Sequence, residues 1–378
     1  MSAPERSGGS AARAANDALG ERIRQMLQRT TVHRGAGRMV ILLIAAFALF
    51  AVLNPRVFLG PVNLQNIMVA SPEVGVLAIA MMLAMLTGGI DLSLVSIANL
   101  SAISVATVFL AVEAIDPAAA ESMTLPLVLL GVAVGVACGV LNGVLVSVVG
   151  ITPILATLGT MQILNGIAIV WTGGSTLYGS PAALTAFGRA ALGPVPALFV
   201  VLIVVAVAVG LLVTATPLGR KIQLQGANPV AARYSGIANR RVLLSTYMLT
   251  GALAGVAGVL FIARNPTASA DYGASYVLLI IVIAVLGGTN PSGGFATVTG
   301  VVLATLTLQI VSSGFTALRL SPYEYSIAQG AILIAVMVFD SISWRRRRRP
   351  ASPPGGPPPP EPANRQQQTP EPLTQKLE

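Results

Sequence analysis

Apolar residues run in long blocks from Met39 to Asp340, interrupted by short polar stretches. Ten blocks stand out, at about 39–53, 67–87, 92–113, 124–149, 153–173, 194–215, 242–264, 275–290, 293–313 and 323–340. A helix needs roughly 20 mostly apolar residues to cross about 30 Å of hydrocarbon, and most of the blocks come close to that length. The pattern predicts an all-α, polytopic membrane protein with about ten transmembrane helices, occupying residues 39–344. Two neighbouring pairs of blocks have almost no loop between them: TGGIDLS (87–93) separates the second and third, and GGTNPSGG (287–294) the eighth and ninth. Irregular backbone at membrane depth is tolerated only where protein or a water-filled cavity satisfies it, so both breaks are expected near a path rather than against lipid.

The placement of cations sets the orientation. With the N-terminus in the cytoplasm, ten crossings return the C-terminus there. The inner segments 1–38, 216–241 and 345–378 then hold 19 of the 23 Lys and Arg, whereas the outer loops keep Arg56, Arg189, Arg264 and Arg319. The net charge of +9 therefore reports membrane orientation and an inner basic face, with no nucleic-acid partner implied. Residues 1–38 place Leu19, Ile23, Met26 and Leu27 on one helical face, which reads either as a basic amphipathic helix on anionic membrane lipid or as a plain solvated tail. An apolar run starting as late as Met39 reads as an uncleaved first span. RRRRR (345–349) reads as a headgroup anchor, and the ten prolines between 350 and 372 make the remainder a flexible cytoplasmic tail.

Composition removes other classes. Of 378 residues 54% are hydrophobic and 10% charged, against about 25% charged in soluble domains, which excludes a soluble enzyme. One Cys and one His, Cys138 and His33, build neither a disulfide nor the usual zinc cages. Nothing matches GxxxxGK followed by Ser or Thr, so the chain is expected to carry no ATPase site and no cofactor of its own.

The fourth span carries Gly131, Gly135, Gly139 and Gly143, and the seventh Gly251, Gly255 and Gly258. Small residues at this spacing let another helix approach closely in lipid. Only Glu73 and Asp91 bring charge into or between spans, with no Lys or Arg mid-span to pair with them. That scarcity argues against ion coupling. Glu73 follows Pro72 and is expected to face a vestibule, while Asp91 either caps the third span or meets solute. Asn99, Asn142, Asn165 and Gln309 either line a path for a hydroxylated solute or join helices by hydrogen bonds.

The basic loop 216–241, TPLGRKIQLQGANPVAARYSGIANRR, is too polar to span. Asn228 and Pro229 mark a helix start, Val230 to Tyr234 form one or two turns, and Gly236 ends them. A short cytoplasmic helix between basic flanks suits either a soluble partner or lipid headgroups.

GGIDLS (88–93), GVLNGVLV (139–146), ITPILATLGTMQILNGIAIVWTGG (151–174), TPLGRKIQLQGANPVAARYSGI (216–237) and AVLGGTNPSGG (284–294) occur in an order that resembles the membrane permease of bacterial ribose-type sugar importers of the ATP-binding-cassette class. The resemblance covers residues 62–340. It implies a second permease copy or a homologous permease, an ATPase subunit that binds ATP inside, and a periplasmic sugar-binding protein outside. It also implies that the loop holds a coupling helix contacting the ATPase, with Gly226, Asn228, Ala231, Ala232, Arg233, Ser235 and Gly236 as the matching positions. The chain departs from the family where an acidic pair is common after the seventh span, having Tyr276, Val277, Leu278 and Leu279, and again at Thr289 to Ser292 after the LGG run. Two rival readings are an ion-coupled secondary carrier using the two breaks as its site, and a membrane scaffold recruiting partners through the Pro-rich tail.

Overall fold

The computed structural model describes residues 37–321, 323–331 and 334. The expectations for residues 1–36 and for the tail from Arg345 therefore lie outside the described residues. In chain order the helices are α1 Gly37–Leu53, α2 Pro55–Phe58, α3 Pro61–Leu86, α4 Leu94–Glu113, α5 Pro117–Ser122, α6 Thr124–Val144 with a π-helical turn Leu145–Val149, and α7 Pro153–Thr172. There follow α8 Ala182–Arg189, α9 Ala197–Ala215, α10 Pro217–Ala227, α11 Pro229–Tyr234, α12 Asn239–Arg264, α13 Tyr276–Leu286 and α14 Val298–Ala317, and residues 323–331 are helical. Two short antiparallel pairs, β1 Leu177–Tyr178 with β4 Thr267–Ala268 and β2 Ala191–Leu192 with β3 Val195–Pro196, are the strands among these residues.

Seven helices, α3, α4, α6 with its π turn, α7, α9, α12 and α14, are long and apolar enough to cross a membrane, and α1 and α13 are shorter apolar helices. The chain is an all-α polytopic membrane protein. Six helices begin at a proline, whose missing N–H falls where a helix has no intrahelical acceptor. One of them corrects a boundary: α3 begins at Pro61, six residues before the expected 67, with proline in its first turn, and Asn63 donates back to the Phe58 carbonyl at 2.9 Å. Another difference is α13, whose 11 residues rise about 16 Å, half the hydrocarbon thickness. Gly288 at φ +88° ends it, and Gly293 and Gly294 at +92° and +83° delay α14 to Val298.

Helices α3 and α12 form the centre, with 83% and 72% of their most apolar stretches buried, whereas α6, α7 and α9 bury 28% and turn Leu155, Val170, Val204 and Leu211 outward. The two glycine rows meet at the α6–α12 crossing. A Cβ on Gly135 would overlap the Gly251 carbonyl oxygen, one on Gly251 the Gly135 oxygen, and one on Gly139 the Tyr247 oxygen. Backbone here lies directly on backbone, which only glycine allows.

Candidate functional site

The loop between α9 and α12 folds as two short helices, and local chemistry explains each end. Thr216 caps α10 by accepting the Gly219 N–H at 3.1 Å. Asn228 caps α11 by accepting the Val230 and Ala231 N–H groups at 3.1 and 3.0 Å, and Gly236 at φ +76° terminates the following turn. Asn228, Ala231, Arg233, Ser235 and Gly236 are exposed. Val230 and Tyr234 stand out further, at 65% and 89% exposure, which sequence patterning did not single out. Two expected contact positions are turned inward instead: Ala232 is 4% exposed and Gly226 is buried.

Gly226 is buried because both broken connections converge on it. The Gly294 N–H donates to the Leu86 carbonyl at 3.0 Å, so the 287–297 connection sits on the end of α3. A Cβ on Gly226 would overlap that same Leu86 oxygen and lie 2.6 Å from the Gly294 nitrogen, and one on Gly293 would lie 2.9 Å from the Gly88 nitrogen. Helix α10 is thus wedged, backbone on backbone, between the ends of two connections that separate apolar helices.

The polar residues expected along a path do not form one ring. Asp91 Oδ1 accepts the Ser93 N–H at 3.0 Å and the Ser93 hydroxyl at 2.6 Å, at the entry to α4. Asn142 donates to that same Ser93 hydroxyl at 2.7 Å, so Asp91 and Asn142 share one buried network. Asn99 donates to the Ala270 and Tyr272 carbonyls at 2.7 and 2.9 Å. Gln309 donates to the Ala70 carbonyl at 3.3 Å, tying α14 to α3. Asn165 is half-buried on α7, apart from the others and without a side-chain hydrogen bond among the described residues.

Glu73 requires a correction. The sequence places no cation mid-span beside it, but Arg264, which the charge pattern puts in an outer loop, is the last residue of α12 and its Nη1 lies 3.0 Å from Glu73 Oε2. The 26-residue α12 runs beside α3, and its end arrives at the level of a carboxylate halfway along α3. Glu73 is fully buried and the Arg264 side chain 29% exposed. The Tyr272 hydroxyl donates to Glu73 at 3.2 Å, and Asn265 donates to that hydroxyl at 3.5 Å. The Tyr272 ring lies 4.6 Å from that of Phe261 and 6.3 Å from that of Tyr276. Burial, and then the Glu73 charge, push the Tyr272 phenol above its usual range, so it stays a proton donor. The signal in the sequence was the polar stretch RNPTASADYGASY (264–276), with its Arg and two Tyr, between two apolar blocks. Among the described residues no group of His, Cys, Asp and Glu is arranged to hold a metal ion.

Residues 63–337 match the family described as branched-chain amino acid transport system / permease component. The chain is 32% identical over 292 residues to the ribose import permease protein of Bacillus subtilis (strain 168), covering 77% of this chain and 88% of that protein. It is 32% identical over 314 residues to an autoinducer 2 import system permease protein of Yersinia enterocolitica, covering 81% and 91%. It is also 32% identical over 295 residues to the D-allose transport system permease protein of Escherichia coli (strain K12), covering 78% and 88%. No solved structure matches the chain.

Proposed function

The chain belongs to this family of permease components, and we propose that it conducts a sugar or sugar-like solute through the inner membrane as the permease subunit of an ATP-binding-cassette importer. It is a transport component rather than an enzyme, and ATP is bound by a partner subunit. Relatives whose names specify ribose import, autoinducer 2 import and D-allose transport support this cargo class, and they weigh against an ion-coupled carrier. A periplasmic binding protein hands over the solute, and a second permease, identical or homologous, completes the path. Ten crossings with both termini in the cytoplasm keep the basic segments inside.

The observation that carries the coupling role is α11. It is exposed except at Ala232, capped on its own sequence, and joined through Asn228 alone to α10, whose Gly226 is wedged against α3 and the 287–297 connection. When the ATPase pair closes, α11 moves with it and the wedge carries that motion to the helix ends, biasing the spans between inward and outward opening. In liposomes holding the permease, its ATPase and its binding protein, replacing Arg233 and Tyr234 by Ala is expected to abolish solute-stimulated ATP hydrolysis. Unchanged stimulation would remove α11 from the coupling role.

A further inference from the structure

The segment between α12 and α13 places polar groups where lipid does not tolerate them. Asn99, the sixth residue of α4, holds the Ala270 and Tyr272 carbonyls, so the segment dips to within about 8 Å of the start of α4 at 1.5 Å per residue. Asn265 and Asp271 are exposed there, Tyr272 and Tyr276 are half-buried, and Arg264 keeps part of its surface open. Asn99 Oδ1, buried beside the same segment, has no hydrogen-bond partner. Exposed polar groups at such depth face a water-filled path or another protein surface rather than acyl chains.

The groups also fit one kind of ligand. Arg264 keeps guanidinium N–H groups beyond the Nη1 donor on Glu73, the Tyr272 hydroxyl, whose proton goes to Glu73, keeps acceptor capacity, and the Asn265 amide adds a donor and an acceptor. Glu73 cancels the Arg264 charge, so a charged solute gains no advantage over a neutral one. The rings of Tyr272 and Tyr276, tilted 82° to each other, supply apolar faces for the C–H side of a small polyol. We propose that Arg264, Asn265, Tyr272 and Tyr276 form a binding site for a neutral, polyhydroxylated solute within the chain, with Glu73 as the positioning residue that fixes the guanidinium and the phenol. This inference rests on the importer reading and assigns residues to its path.

The test reads binding without the ATPase or the binding protein, so its failure is distinct from failure of coupling. In the full-length chain Cys138→Ser removes the lone thiol, and Ala274→Cys places an exposed reporter beside the site. In proteoliposomes the reporter is expected to react with a membrane-impermeant methanethiosulfonate. D-Ribose or D-allose at ten times its dissociation constant is expected to slow that reaction about tenfold, since about nine-tenths of sites are then filled. Tyr272→Phe and Arg264→Gln in the same background are expected to abolish the protection, whereas Tyr178→Cys, 74% exposed on β1, should react at the same rate with or without sugar. Three results would overturn the proposal: no reaction at position 274 while position 178 reacts, no protection by either sugar, or equal protection by gluconate. Tyr272→Phe removes one hydroxyl and tests the site even where Arg264→Gln fails to fold.

Discussion

Gly226→Ala tests whether α10 transmits motion through backbone contact. The added methyl would overlap the Leu86 carbonyl oxygen and stand 2.6 Å from the Gly294 nitrogen, so the 3.0 Å hydrogen bond between those two groups cannot persist unchanged. Loss of one net hydrogen bond is worth about 1 kcal/mol. Overpacking by one methylene adds about 1–3 kcal/mol. The wedge is therefore expected to loosen by about 2–4 kcal/mol, enough to separate α10 from the end of α3 while leaving the exposed α11 intact. In liposomes with ATPase and binding protein, the variant should still bind the ATPase but deliver several-fold less solute per ATP hydrolysed. Gly210→Ala on α9, where an added methyl meets nothing within 4 Å, is the control. If Gly226→Ala and Gly210→Ala show the same uptake per ATP, the wedge does not transmit motion and the reasoning fails.

Gly251→Leu at the α6–α12 crossing should destabilise the detergent-solubilised protein by more than 3 kcal/mol in a denaturation series, roughly the upper end for core overpacking, whereas Gly166→Ala, facing open space, should leave it unchanged. Asn228→Ala removes the acceptor for two N–H groups of α11 and should weaken that helix by about 1 kcal/mol; faster amide hydrogen exchange at residues 230–232 is the readout, and unaltered exchange would contradict the capping argument. Glu73→Ala leaves Arg264 with its carboxylate partner gone, and because Arg264 is 29% exposed the cost should fall to about 1–3 kcal/mol, below that of a fully buried pair. The double variant Glu73→Ala with Arg264→Ala should recover part of that loss. A double variant less stable than the sum of the two single ones would refute the pairing.

What was legible in the sequence followed from local chemistry. The Asn228–Pro229 start and the Gly236 stop define α11 within six residues, and no distant contact is needed to form it. The glycine rows were legible because glycines three or four residues apart share one helix face whatever the arrangement of neighbours, although nothing in either row said that the partner was the other row. Burial of Gly226 was not legible. It depends on two connections 200 residues apart in sequence, around Gly88 and Gly288, meeting at the end of α3. The Glu73–Arg264 pair escaped for a related reason: its members are 191 residues apart, and hydropathy does not rank the heights at which separate helices end. The polar residues at mid-helix were recognised as a set, but sequence could not divide Asp91 and Asn142, which bond through Ser93, from Asn99, which holds the 265–275 segment.

The 191-residue separation of Glu73 from Arg264 also imposes an order on biogenesis. At about 5–20 residues per second, α3 emerges from the ribosome roughly 10–40 s before its counter-charge does. Through that interval a carboxylate halfway along α3 has no Arg264 to neutralise it, and a lone ionised side chain at that depth adds about 2.5–3.5 kcal/mol to the insertion of its helix. The first helices must therefore wait, sheltered by the insertion machinery or with Glu73 protonated, until α12 arrives. A chain stopped at residue 238 never reaches that point, and its α3 should remain crosslinkable to the insertion apparatus where that of the full chain is released.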